Sequence, residues 1–311
     1  MKMISRIPVT ISLAIAFAGI LSTSSPAGGQ ATFSQDSPSP VELVRATVAN
    51  EVAAASDNSI KHMFRDLKTT PQGSQTKLYV ETRQAMAGMT IAYNEKPLTP
   101  QQLEGEEGRL AGLVDNPEQL KRKQRQEKEE ASRTLSILKA LPDAFLYDYD
   151  GTETGTAGLG KEGMRMLRIK FRPNPAYRPP SHVEEVLTGM AGFLLIDPAS
   201  RRLARIDGTL FKEVSFGWGI LGHLNKGGHF FVQQQDLDDG SWDISCMRLE
   251  FTGKILLFKN IAINSNEVFT DFRRVSPDTT FAQGVEMLKA ELAKGIQSGA
   301  ESVRAATAKA R

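Results

Sequence analysis

Several stretches of this chain carry residue types that could do chemistry. Gly217-Trp218-Gly219-Ile220-Leu221-Gly222 has the G-x-G-x-x-G spacing that lets a backbone approach a dinucleotide pyrophosphate. That chemistry needs a helix directly afterwards, because the helix N-terminus binds the anion. Here Asn225-Lys226-Gly227-Gly228 breaks the chain and His229-Phe230-Phe231-Val232 has strand character, so the glycines read as turn residues of a long hairpin. Gly155-Thr156-Ala157-Gly158-Leu159-Gly160-Lys161 nearly completes a phosphate-binding loop. Glu162 stands where Ser or Thr should hold magnesium, and a strand pattern follows, so this too reads as a turn. His62, His182, His223 and His229 show no metal-ligand spacing, and no Gly-x-Ser-x-Gly elbow is present. Asp207, Asp236, Asp238, Asp239 and Asp243 gather near turns, where Asp is favoured for structural reasons. Cys246 is the single cysteine, which excludes an intramolecular disulfide. Strict alternation puts it on one strand face with Trp242 and Ile244, as a small buried apolar residue. The expectation is a non-enzymatic protein with no catalytic residue, no cofactor and no metal.

What stands out instead is apolar. Phe211, Phe216, Trp218, Ile220 and Leu221 crowd a connection that should be polar, and Phe230 and Trp242 follow closely. These seven residues are the candidate ligand-binding set. Two readings stay open: the loop folds back to cap the edge of a curved sheet, or it presents an apolar surface to a ligand.

The elements that must position these residues are mostly strands. Arg202 to Val275 is a series of short β-type runs separated by Gly, Asn and Asp, the pattern of an antiparallel sheet wound by hairpins. Gly192 to Asp197 opens it. Met164 to Arg172 alternates Leu167, Ile169 and Phe171 against Arg168, Lys170 and Arg172, a strand with one dry and one wet face. Earlier strands are expected at about 60–68, 75–83, 88–94 and 145–149. Ser39-Pro40-Val41-Glu42 begins a helix with Val41, Val44, Val48 and Val52 as its apolar stripe. A helical insertion spans 99–141, introduced by Thr99-Pro100-Gln101-Gln102 and Asn116-Pro117-Glu118. Its second helix, 117–141, opens with charge on every face, so its first half is expected to project into solvent and its second half to dock. Pro173 to Pro180 is a connection, Ser181 to Leu187 a short helix, and Thr280-Phe281-Ala282-Gln283 starts a last helix striped by Phe281, Val285, Leu288 and Leu292.

Lys2 and Arg6, the apolar run Ile7 to Leu21, and small residues through Gly29 form a secretory signal over 1–29. Residues 30–38 read as a flexible leader and 295–311 as a flexible tail. The expected location is therefore the exported, periplasmic space of a bacterial cell envelope, soluble after cleavage and without a stable membrane span. Removing Lys2 and Arg6 leaves basic and acidic residues equal in number, which argues against nucleic acid or a polybasic membrane mode.

The pair Leu194-Leu195-Ile196-Asp197-Pro198 and Arg202-Leu203-Ala204-Arg205-Ile206-Asp207-Gly208, behind a signal and an N-terminal helix, resembles the periplasmic lipoprotein-carrier (LolA/LolB-like) superfamily. The resemblance implies an α+β fold with an unclosed β-barrel, helices packed on its concave side, and an apolar cavity that shelters acyl chains. The chain departs from compact carriers in its 99–141 insertion and its glycine-rich hairpin. The expected organisation is one such domain over 39–294. The expected function is an exported binding protein that carries or senses a lipid, an acylated protein or another amphipathic ligand. Two alternatives stand beside it: a cell-envelope interaction module acting through the charged helix 117–141, and an exported hydrolase whose residues meet only in three dimensions.

Overall fold

The computed structural model describes residues 39–216, 222–255 and 259–294. The expected signal, leader and tail lie outside them, as do Trp218, Ile220 and Leu221. The chain is α+β, with a large antiparallel sheet that is not closed. It divides into two compact units: the chain to Ser56 with Glu130–Ser265, and Asp57–Glu129 with the chain from Asn266.

The first unit contains helix α1 (Pro40–Ser56), strands β5 (Phe145–Thr154), β6 (Arg165–Pro173), β7 (Met190–Asp197), β8 (Arg202–Leu210), β9 (Val214–Phe216), β10 (Gly222–Leu224), β11 (His229–Asp236) and β12 (Trp242–Ile255), and the start of β13 (Lys259–Val275). The strand order is β13-β12-β11-β8-β7-β6-β5, with β10 paired to β12 and to β9. β5 pairs on one side only, which leaves this edge open. A 3-10 turn, Glu184–Gly189, leads into β7 where a short helix is expected from 181.

Helix α1 starts where the sequence signals it: Ser39 Oγ accepts from Glu42 N–H, and the Glu42 carboxylate accepts from Ser39 N–H. Its buried side is Leu43, Val44, Thr47, Val48, Glu51 and Ala55, while Val41 is exposed. The valine stripe is thus corrected by a small rotation. The cause is Glu51, whose carboxylate accepts from Arg202 Nε at 2.8 Å and from Leu203 N–H at 2.8 Å. A charged side chain serves as the anchor, which hydrophobic periodicity cannot register.

The second unit contains β1 (Lys61–Thr70), β2 (Gly73–Val80), β3 (Ala87–Tyr93), the two-residue β4 (Lys96–Pro97), helix α2 (Pro100–Asp115), the remainder of β13, and a last helix α4 (residues 281–294). Its order is β4-β3-β2-β1-β13. One sheet face supplies Met63, Leu78, Val80, Ala87 and Met89 to a core closed by Leu110 of α2 and by Phe281, Val285 and Leu288 of α4. Thr99 and Gln102 form a reciprocal cap at α2, and Thr280 and Gln283 do the same for α4.

Helix α3 (Pro117–Ala144) runs through both stretches. Its first half does not stand free of the protein. Leu120 packs on the second unit's core, and the Glu127 carboxylate accepts the Met86 N–H at 3.0 Å while pairing with Lys123 at 2.7 Å. Positions 120, 123, 124 and 127 form a half-buried stripe at helical spacing, built from Leu120 and the aliphatic stems of Lys123, Gln124 and Glu127. The helix also continues past Leu141, through Pro142, to Ala144. Carbonyls at its C-terminal end are taken up by Tyr147 OH, which donates to Leu141 O at 2.6 Å, and by Asn174 Nδ2, which donates to Asp143 O.

Candidate binding face

In an antiparallel sheet, directly opposed residues point to the same side. The register of β6, β7, β8, β11 and β12 therefore builds rows across the first unit. One row is Phe171, Gly192, Gly208, Phe230 and Leu249; the next is Ile169, Leu194, Ile206, Val232 and Met247. Every member is apolar or glycine. Most are buried, but Gly192, Ile206 and Phe230 keep partial exposure.

The glycines in this face are there for room. A Cβ on Gly208 would lie 2.9 Å from Met190 Sδ and 3.2 Å from Phe171 Cζ, and one on Gly192 would overlap the Asp207 carbonyl oxygen. The missing side chains let Met190 and the Phe171 ring close over Gly208 and let β7 and β8 lie close at Gly192. Beyond β11 the same side is extended by the β9–β10 hairpin. Val214 opposes Leu224, Phe216 opposes Gly222, and β10 in turn opposes Gly253 and Ile255. Val214 and Phe216 are buried and Ser215 between them is exposed, as alternation requires. Gly222 has φ +141°, which favours glycine, and it opens a strand, not a helix. The last glycine of the G-x-G-x-x-G motif is thus a hairpin residue.

The reverse side sets internally paired polar residues among Phe193, Leu195 and Phe231. Arg168 lies 3.6 Å from the Phe193 ring centroid, and Arg248 lies 4.9 Å from that of Phe231. Arg205 pairs with Glu153 at 3.0 Å and donates to Gln233; His229 Nε2 is 2.9 Å from Asp207. Asp150 sits between Lys170 at 2.6 Å and Arg168 at 2.9 Å. Lys170's hydrogen bond leads in holding the Asp150 carboxyl below its usual range, against partial desolvation and with Arg168 assisting.

Cys246 belongs to this reverse side. β12 is bulged: Gln233 opposes Cys246 but Gln234 opposes Ile244, leaving Ser245 as the extra residue. The bulge reverses the alternation, so Cys246 does not share a face with Ile244, and it is half-buried. Burial raises its thiol pKa, opposed by Arg248 and Arg205.

The seven candidate residues are distributed unevenly. Phe216 and Phe230 come to the apolar face. Phe211 is 46% exposed, with Lys212 Nζ 5.9 Å from its ring centroid. Trp242 is buried among Leu159, Met166, Leu195 and Ala204. The 155–161 segment that resembles a phosphate loop supplies Leu159 to this cluster; Thr156 and Leu159 bridge each other, and Gly160 N–H donates to Gln234 O at 2.7 Å. A bend and strand β6 follow it. Sequence reading missed Gly192, Ile206 and Gly208 as members of the face. The Ile206-Asp207-Gly208 run did place alternating apolar and polar residues in a strand, but the neighbours across the sheet were needed to show a continuous surface.

No family model matches the chain, and no curated protein matches it. Its backbone does match a crystal structure described as an outer membrane lipoprotein-sorting protein domain from Vibrio parahaemolyticus. The chain is similar to that domain. The match covers 75% of this chain and 93% of the domain, at 11% identity and a TM-score of 0.28. A likeness of that extent transfers no residue and no ligand to this protein. Among the described residues no helix is long and apolar enough to cross a membrane, and no group of three or more His, Cys, Asp or Glu could hold a metal ion.

Proposed function

We propose that this chain is an exported, non-enzymatic binding protein that shelters the aliphatic part of an amphipathic ligand, a lipid or an acylated protein, against the apolar face of its first unit. The observation that supports this is the pair of apolar rows across β6–β12, in which Ile206 and Phe230 remain half-exposed. Each methylene laid on such a surface contributes about 0.8 kcal/mol, so a single acyl chain supplies enough affinity for reversible carriage. Export is proposed from the basic and apolar pattern of residues 2–21.

The test is to express the full chain with its leader, purify it from the exported fraction, and examine it by native mass spectrometry and organic extraction. A co-purifying or titratable amphiphile is expected, lost in Ile206→Asp while the far-UV spectrum stays unchanged. A folded protein that neither retains nor takes up any amphiphile would refute the reading.

A further inference from the structure

The second unit carries a group of charges on the side of its sheet that faces away from its core. Asp66 of β1, Lys77 of β2 and Thr90 of β3 oppose one another across the three strands. Leu78 and Val80, the alternate residues of β2, belong to the core on the other side. Lys68 lies two residues along β1 from Asp66, and Glu267 of β13 opposes it. Helix α2 meets the β3 edge, where Glu106 accepts the Thr90 N–H at 2.7 Å and Arg109 donates to the Gly88 carbonyl at 2.7 Å.

Two of these cations are matched. Lys68 Nζ lies 2.7 Å from the Glu267 carboxylate, and Arg109 holds Glu106 through two hydrogen bonds of 2.8 Å. Lys77 is not matched: among the described residues its ammonium makes no hydrogen bond and no ion pair, even with Asp66 directly opposite. The side chain is half-buried, so water replaces those partners only in part. An ammonium has three donors to satisfy, whereas the neutral amine asks for less. Desolvation therefore leads in pushing Lys77 below the ordinary lysine range; Asp66 and Glu106 resist it, while Arg109 and Lys68 reinforce it. Lys61 likewise makes no hydrogen bond or ion pair among the described residues, but at 7% exposure it is closed to a solute.

We infer that Lys77 is a covalent capture site for small aldehydes, which it holds as an imine. The amine lone pair forms the N–C bond as the carbonyl π pair moves to oxygen, and the oxygen takes up the proton that the nitrogen loses. The carbinolamine then expels water, made from its hydroxyl and the second nitrogen proton, and leaves C=N. An aldehyde needs only an uncharged amine for this, whereas acyl transfer also needs donors for an oxyanion. The aldehyde must be small because Lys77 keeps only partial exposure. This chemistry lies in the second unit and does not depend on the carrier reading.

The probe is propanal, incubated with the full chain and cyanoborohydride at pH 7, with the alkylated lysines located and timed by peptide mapping. The exposed Lys128 and Lys254 are the internal references. Lys77 is expected to be labelled several-fold faster than either, while Lys61 stays unlabelled. The advantage should vanish at about pH 11, where ordinary lysines have also lost the proton. Arg109→Gln should reduce it at pH 7, because that guanidinium disfavours the neighbouring ammonium. Labelling of Lys77 at or below the reference rate at pH 7 overturns the inference. So does an advantage that persists unchanged at about pH 11, since exposure and not the state of the amine would then explain it.

Discussion

Glu51→Ala offers the sharpest test of how the first unit is held together. The Glu51 side chain is 1% exposed and that of Arg202 14%, with Nε–Oε1 at 2.8 Å and Nη2–Oε2 at 3.2 Å. The same carboxylate accepts the Leu203 N–H at 2.8 Å. Deletion leaves a largely buried guanidinium and a buried amide without their acceptor. Removing one partner of a buried pair costs about 3–5 kcal/mol, most of it from the charge left behind. Arg202 Cζ lies 5.6 Å from the Trp242 ring centroid, so the guanidinium keeps a cation–π contact that favours the lower half of that range. About 4 kcal/mol corresponds to a fall of roughly 8–16 °C in melting temperature for a unit of this size. Glu51→Gln keeps the acceptor for Leu203 and should lose about half as much. The assay is urea unfolding followed by far-UV circular dichroism, with Arg202→Met and the double variant completing a cycle. A loss below about 1 kcal/mol in Glu51→Ala, or strict additivity in the double variant, would refute the claim that this carboxylate ties α1 to β8.

Three other outcomes follow from the same geometry. Gly192→Ala should destabilise by about 1–3 kcal/mol and more than Gly208→Ala, because the first methyl meets the Asp207 backbone and the second only side chains, the Met190 thioether and the Phe171 ring; chemical denaturation of both variants checks the order. Asp150 has a lowered carboxyl pKa in the folded chain, so its contribution is complete above the ordinary carboxylate pKa and disappears as pH falls through the lowered value. Asp150→Asn should therefore flatten the loss of stability below about pH 4, by less than about 1 kcal/mol because the pair is partly exposed and screened. Cys246 should react with a disulfide reagent at pH 8 several-fold more slowly than a free thiol, since burial raises its pKa. Arg248→Ala should slow it further, because that guanidinium favours the thiolate.

Much of the strand series could be read from the residues, and so could the caps. Leu167, Ile169 and Phe171 alternate with Arg168, Lys170 and Arg172, and β6 carries the first set on the buried side with Lys170 and Arg172 exposed. Ser39, Thr99 and Thr280 mark helix starts through hydrogen bonds that act over three residues, so they are visible locally. Errors arose where one element answered to another. The bulge at Ser245 moves Cys246 to the reverse side because β11 sets the register. The α1 stripe turns because Glu51 answers to Arg202 and Leu203, more than 150 residues away. Helix α3 has a docked first half because Met86 offers an unpaired N–H to Glu127.

The apolar face divides in the same way. By itself the sequence determined that the region from Gly192 onward is an antiparallel sheet, that Met164 to Arg172 is a strand with one dry side, and that Gly222 serves a hairpin. These follow from periodicity and turn chemistry, which act between near neighbours along the chain. Only the tertiary structure decided that Gly192, Gly208 and Phe230 stand in one row, that Trp242 belongs to another cluster, and that Thr47 Oγ1 and Gln234 Oε1 are both buried without a hydrogen-bond partner. Those outcomes depend on strand register and on the α1–β8 contact, and a single inserted residue in a strand reverses every side chain beyond it.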